Sequence, residues 1–164
     1  MMTRPSSPMD IPKRLPVDCH IRPAQAADIW PIRRLVLGAK LDPTQLRWQQ
    51  FWLIEHHDGQ ILACGQLRTF IDSQELGSLV VRSPWRRQGL GTTLTHHLIQ
   101  QASYPLYLEC LGTGLATFYQ RLGFVPVAVG ALPSGLQRKF RFSAAIAQLL
   151  RLPLYQMHWP ASNV

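Results

Sequence analysis

Two glycines lie two residues apart in the run Arg86-Arg87-Gln88-Gly89-Leu90-Gly91, directly behind a pair of arginines. The apolar run Leu79-Val80-Val81 precedes them and Ser83-Pro84 closes it. From Leu90 the apolar residues recur as Leu90, Leu94 and Leu98, with Ile99 and Ala102 widening the stripe. This pattern predicts a strand, a tight loop and the start of an amphipathic helix. Glycine at 89 and 91 is expected to give the backbone positive φ and to let a ligand approach the main chain. The first amides of a helix have no intrahelical carbonyl, and the helix dipole adds partial positive charge. Such a loop is an anion site suited to a pyrophosphate, and Arg86 and Arg87 add full charges beside it. It is not a Walker loop, since no Lys-Ser/Thr follows the second glycine. Nor is it the three-glycine dinucleotide fingerprint.

The elements that must position this loop are legible on both sides of it. His20–Pro23 reads as a short strand, and Ala26-Ala27-Asp28 leads into a helix carrying Ile29, Ile32, Leu35 and Val36, with Gly38 near its end. A second short helix is expected from Pro43 to about Gln50. Residues 51–55 and 61–67 form a predicted hairpin around the Asp58-Gly59 turn. Residues 74–81 read as a central strand, 106–110 as another, and Gly112-Thr113-Gly114 opens a helix. The buried stripe of that helix is expected to be Leu115, Phe118 and Leu122, with Gly123 as its stop. A strand at 124–127, an amphipathic helix around 143–150 and a last strand at 154–159 complete an α/β sandwich.

The chain has 164 residues, 46% of them hydrophobic, which suits one compact domain. Residues 1–18, rich in proline, serine and charge, are expected to be a disordered tail, leaving a single domain over 19–164. No apolar run reaches the roughly 20 residues that a bilayer demands, so no membrane partner is expected. Cys19, Cys64 and Cys110 form no CxxC pair, which points to ordinary buried thiols in a reducing, cytoplasmic setting. The adjacent pairs His56-His57 and His96-His97 point in different directions and read as polar surface rather than as a metal site.

The net charge is +8, and Glu109 is the last acidic residue, followed by Arg121, Arg138, Lys139, Arg141 and Arg151. A field of this sign attracts phosphates, on nucleic acid or on a nucleotide cofactor. Nucleic-acid binding would call for an aromatic-basic RNA signature or zinc-finger spacing, and neither is present, so no nucleic-acid partner is expected.

With these residues in place, the sequence resembles the GNAT superfamily of acetyl-CoA-dependent N-acyltransferases. The family signature R/Q-x-x-G-x-G/A is matched by Arg86 to Gly91. Its pattern of glutamate, strand, proline and loop is matched by Glu75, Leu79-Val80-Val81 and Pro84. Its aromatic-Tyr-x-x-x-Gly-Phe is matched by Phe118-Tyr119-Gln120-Arg121-Leu122-Gly123-Phe124. Gly112 stands where many members carry asparagine, and residues 132–150 are longer than a plain hairpin connection.

The resemblance implies an α/β fold with a mixed sheet flanked by helices, its central parallel strands splayed. It further implies that acetyl-CoA lies between the strand ending at Val81 and the strand at 106–110. The cofactor contacts so implied are Leu79, Val80, Val81, Arg86, Arg87, Gln88, Gly89, Leu90, Gly91 and Thr92, with no metal. Glu75 is then the candidate base for the amine, and Tyr119 the candidate acid for the departing thiolate. The implied acceptor is an amine on a small molecule or a protein, with the oligomeric state open. The alternatives are a module that binds the cofactor without catalysis and, ranked below it, a basic nucleic-acid-binding protein.

Overall fold

A computed structural model describes residues 14–160. The expected tail lies outside the described residues as far as residue 13. Of its remainder, Leu15 packs on the main core and the Pro16 carbonyl accepts the Cys19 amide. In chain order the elements are β1 (Cys19–Pro23), α1 (Ile29–Gly38), β2 (Phe51–His56), β3 (Ile61–Thr69), β4 (Gln74–Val81), α2 (Leu90–Gln101), β5 (Leu106–Leu111), α3 (Thr113–Arg121), β6 (Val125–Pro126), α4 (Ser134–Leu149) and β7 (Leu154–Trp159). The strands form one seven-stranded sheet in the order β1-β2-β3-β4-β5-β7-β6. All neighbours are antiparallel except β4 and β5.

Strand alternation divides the residues between two faces. Leu106, Leu108 and Cys110 of β5 meet Leu90, Leu94 and Leu98 of α2 and Ala116, Tyr119 and Leu122 of α3 in the largest core cluster. On the opposite face, Ile32 and Val36 of α1 pack with Phe51, Leu53 and Val80. The same face carries α4, whose Leu136 and Phe140 sit against Phe70 and Tyr107. The three leucines of the α2 stripe are essentially fully buried. Each contributes about 1.5–3 kcal/mol by that burial, so α2, and with it the loop at its N-terminus, is firmly fixed to the sheet.

The two parallel strands touch only at one end. β4 pairs with β5 at Gln74–Leu106 and Glu75–Tyr107 and nowhere beyond. The cause is local. On its other side β4 sets the four residues Gly77–Val80 against the three residues Cys64–Gln66 of β3, and Ser78 takes φ of 50°. A bulge of this kind bends the strand, here away from β5. The gap opened is the splay that the family resemblance implies.

Three expectations need correction. No helix spans Pro43 to Gln50; only a single turn at Trp48–Gln50 forms. The Asp42 carboxylate accepts the Thr44 amide at 2.8 Å, a local bond that competes with helix initiation. The helix expected around 143–150 begins at Ser134, directly after Pro133. The stripe of α3 is rotated from the expected one: Leu115 is 49% exposed, and Ala116, Tyr119 and Leu122 face the core. Thr113 is the first helical residue, and the direction in which the helix enters from Gly112 sets which side meets β5.

Candidate active site

The loop between β4 and α2 is held by its own polar groups. The Arg82 amide donates to the Leu62 carbonyl at 2.8 Å, Arg86 Nε to the Val81 carbonyl at 3.0 Å, and Gln88 Nε2 to the Pro84 carbonyl at 3.2 Å. Because successive residues of a strand turn their main-chain groups to opposite sides, Arg82 facing β3 means that Val81 faces the splay. The expected backbone freedom is distributed differently from the sequence reading. Arg87 and Gly89 take φ of 62° and 89°, whereas Gly91 has no positive φ and lies in the first turn of α2. What Gly91 supplies is space. A methyl there would lie 3.6 Å from Val81 Cγ2 and 3.7 Å from Phe118 Cζ, filling the gap between β4 and α3.

The first bond of α2 runs from the Thr93 amide to the Gly89 carbonyl at 2.9 Å, so the amides of Leu90, Gly91 and Thr92 reach no carbonyl of the helix. Those three amides and the exposed Arg86, Arg87 and Gln88 surround the mouth of the splay. The donor set and the open gap fit a pyrophosphate with an extended arm. Among the expected contacts, the side chains of Val80 and Leu90 point into the two cores, leaving only their main chains to a ligand.

Glu75 lies at the paired end of β4, is buried, and is fully engaged. Arg68 Nη1 donates to its Oε1 at 3.1 Å, and Lys139 Nζ reaches Oε1 at 2.7 Å and also Oε2. Arg68 also donates to Gln66 Oε1 and Ser78 Oγ, and a methyl on Gly77 would lie 2.7 Å from its Nη1. Lys139 comes from α4, the segment that the sequence left without a role.

Tyr119 lies on the other face of the sheet. Its ring packs edge-on against Phe118 and Phe124, with centroids 5.0 and 5.6 Å away. Burial holds its phenol above the usual value, and the neighbouring Cys110 pushes it further the same way. The two sequence candidates thus stand on opposite faces of the sheet, which communicate where β4 and β5 part.

A third ionisable group was not singled out from the sequence. Glu109 is on β5, two residues beyond the last pairing with β4, on the face covered by α4. Gln156 Nε2 of β7 donates to its Oε1 at 3.3 Å. Its carboxyl is pushed up to about 7, first by burial and also by the charge of Glu75, against the lowering effects of Ser143, Lys139 and Gln156. A polar residue within the alternating strand 106–110 was the available signal.

Of the histidines expected at the surface, His97 is instead partly buried edge-on against Trp52, with centroids 4.3 Å apart. Its Nε2 has no hydrogen-bond partner among the described residues, and burial lowers its pKa. Cys64 and Cys110 are buried free thiols, and Cys19 is half-buried.

Residues 47–126 match the family model of an acetyltransferase (GNAT) domain. The chain carries a GNAT domain. The matched span runs from the turn before β2 through the glycine loop to β6. Solved structures share the fold of this GNAT domain. N-acetylglutamate synthase from Neisseria gonorrhoeae, complexed with coenzyme A and N-acetyl-glutamate, is 22% identical with a TM-score of 0.68, covering 87% of this chain and 35% of its own. The chain thus spans about a third of that synthase. A GNAT-family acetyltransferase from Staphylococcus aureus is 16% identical with a TM-score of 0.64, covering 87% of this chain and 99% of its own. A GNAT-family acetyltransferase from Elizabethkingia anophelis with acetyl-CoA bound is 24% identical with a TM-score of 0.57, covering 69% of this chain and 80% of its own. At these identities the likeness is one of fold.

Proposed function

We propose that the chain transfers an acetyl group from acetyl-CoA directly to the amine of a small, carboxylate-bearing acceptor such as a free amino acid. The observation that carries the reading is the splay itself. A strand gap with free main-chain groups ends at a helix start whose three leading amides and flanking arginines suit a pyrophosphate. Acetyl-CoA bound to the Elizabethkingia relative supports the same donor here.

In this reading the arm of coenzyme A lies along Val81, and the Val81 amide polarises the thioester carbonyl. The amine nitrogen attacks the carbonyl carbon, the new C–N bond forms and the C–S bond breaks. Tyr119 supplies the proton to the departing sulfur. A carboxylate on the α4 face takes the amine proton, and Glu75 is the sequence candidate for it.

The acceptor class follows from the charges on that face. Arg68 and Lys139 both bond the single carboxylate Glu75, while Asp42 and Glu109 act on them only through space, so the pair of cations offers a carboxylate on the acceptor a place to bind. N-acetyl-glutamate bound to the Neisseria synthase supports an amino acid as the acceptor. The test is to incubate the protein with acetyl-CoA and a panel of amino acids and simple amines, following free thiol and acetylated product by mass spectrometry. Product with at least one amino acid is expected. Coenzyme A binding with no product from any amine would leave the binding module as the reading.

A further inference from the structure

We infer that Glu109, not Glu75, accepts the proton from the acceptor amine, and that Glu75 acts instead through its ion pairs to hold the cations of the acceptor site. This inference rests on the acetyl-transfer reading above and assigns one step within it.

An attacking amine must reach the thioester in the gap between β4 and β5. Glu75 sits at Glu75–Tyr107, the last rung where the strands still pair, whereas Glu109 stands two residues further along β5, inside the gap. Side-chain alternation puts Glu109 on the α4 face with Tyr107, while Cys110, the next residue, faces Tyr119. The proton acceptor, on one face of β5, and the proton donor, packed by Cys110 on the other, would thus stand across one strand from each other beside the thioester.

Both oxygens of Glu75 are taken by Lys139 and one also by Arg68, so gaining a proton would leave two cations facing a neutral group. Glu109 meets only neutral donors, Gln156 at 3.3 Å and the Ser143 hydroxyl, and no cation among the described residues bonds it directly. The groups facing it are Glu75 from β4, Lys139 and Ser143 from α4, and Gln156 from β7, with Cys110 beside it on its own strand. Burial and the Glu75 charge bring its carboxyl to about 7, where a carboxylate both exists and holds a proton well.

The chemistry balances. Glu109 takes one proton from the amine as the C–N bond forms, and Tyr119 gives one to the sulfur as the C–S bond breaks. Exchange with solvent then returns both groups to their starting states.

The experiment compares pH profiles of kcat/KM for wild type, Glu109→Gln and Glu75→Gln, using the best acceptor of the amino-acid panel. Wild type should show an acidic limb with a midpoint near neutrality. Glu109→Gln should lose that limb together with about 10²-fold in rate at pH 8, within the usual range for a positioned base. Glu75→Gln should keep the limb but move it to lower pH, because it removes the negative charge that raises Glu109 and frees Lys139 to pair with it. Added formate should restore part of the rate in Glu109→Ala and none in Glu75→Ala.

Loss of the limb in Glu75→Gln, with an unchanged limb in Glu109→Gln, would overturn the assignment while leaving acetyl transfer intact. If wild type acetylates no amine, the underlying reading fails instead. If Glu109→Gln does not fold, formate rescue of Glu109→Ala decides, and its absence in folded protein counts against the role.

Discussion

Replacing Gly91 by alanine separates the ligand's need for space from the fold's. The position is in the first turn of α2 and takes no positive φ, and the added methyl would meet Val81 Cγ2 at 3.6 Å and Phe118 Cζ at 3.7 Å. Both are ordinary van der Waals distances, so the free protein should not be strained. Alanine in a helix is favoured over glycine by about 0.5–1 kcal/mol, which for a domain of this size raises Tm by roughly 1–4 °C. The same methyl stands between β4 and α3, at the mouth of the gap along which the coenzyme A arm is proposed to run. Losing one close main-chain contact to the pyrophosphate costs about 1.5–3 kcal/mol, since hydrogen bonds to charged groups are the stronger ones. The expected result is therefore at least a ~10-fold weaker Kd for coenzyme A by titration calorimetry, in a protein that melts no lower than wild type. An unchanged Kd in a stable Gly91→Ala variant would refute the placement of the ligand in this gap. Gly89→Ala makes the contrast, because φ of 89° there penalises any side chain and should lower stability by about 1–2 kcal/mol.

Other consequences are equally open to measurement. Tyr119→Phe keeps the edge-on packing against Phe118 and Phe124 and should melt close to wild type, while turnover falls about 10²-fold; full turnover would make the residue structural. An acyl donor with a more acidic thiol should recover part of that loss. Gly123→Ala would press a methyl to 2.6 Å from the Trp159 ring at φ of 95°, so it should lose several kcal/mol in denaturant unfolding, and near-normal stability would contradict the packing of β7 against the end of α3. The Glu109 carboxyl sits near 7 in the folded chain, above its ordinary 4.5, so the folded state holds that proton more tightly than the unfolded state. Its contribution therefore favours folding most at low pH and is lost as pH rises from about 4.5 to about 7. Glu109→Gln removes this dependence and should gain on wild type across that window by roughly 1–2 kcal/mol once solvent screening is allowed for.

The elements around the glycine loop were legible because their periods are clean. Leu90, Leu94 and Leu98 all face the core, and the hairpin at Asp58-Gly59 forms where the turn residues place it. Elsewhere local bonds and tertiary contacts decided. Asp42 caps Thr44 and no helix follows, while Gln66 Nε2 takes the Gln45 carbonyl that a helix would have used. The first turns of α4 carry no clear sequence signal because Gln137-Arg138-Lys139 breaks the apolar rhythm, although Leu136 and Phe140 are fully buried.

The site was legible in its motif residues and not in their partners. Nothing in a linear pattern brings Lys139 to Glu75 across 64 positions, and only the pairing of β5 with β7 sets Gln156 against Glu109. At Gly91 the sequence reading expects both positive φ and close approach of a ligand; the structure gives it no positive φ and leaves open space between Val81 and Phe118.

Transfer of an acetyl group by this GNAT domain to the amine of a small carboxylated acceptor is measured with acetyl-CoA carrying an isotopically labelled acetyl group, using amino acids and their decarboxylated counterparts as paired acceptors. Labelled N-acetyl product is expected in one-to-one ratio with released coenzyme A, with faster transfer to an amino acid than to its decarboxylated partner. Release of coenzyme A without any labelled N-acetyl product from either series would contradict that transfer.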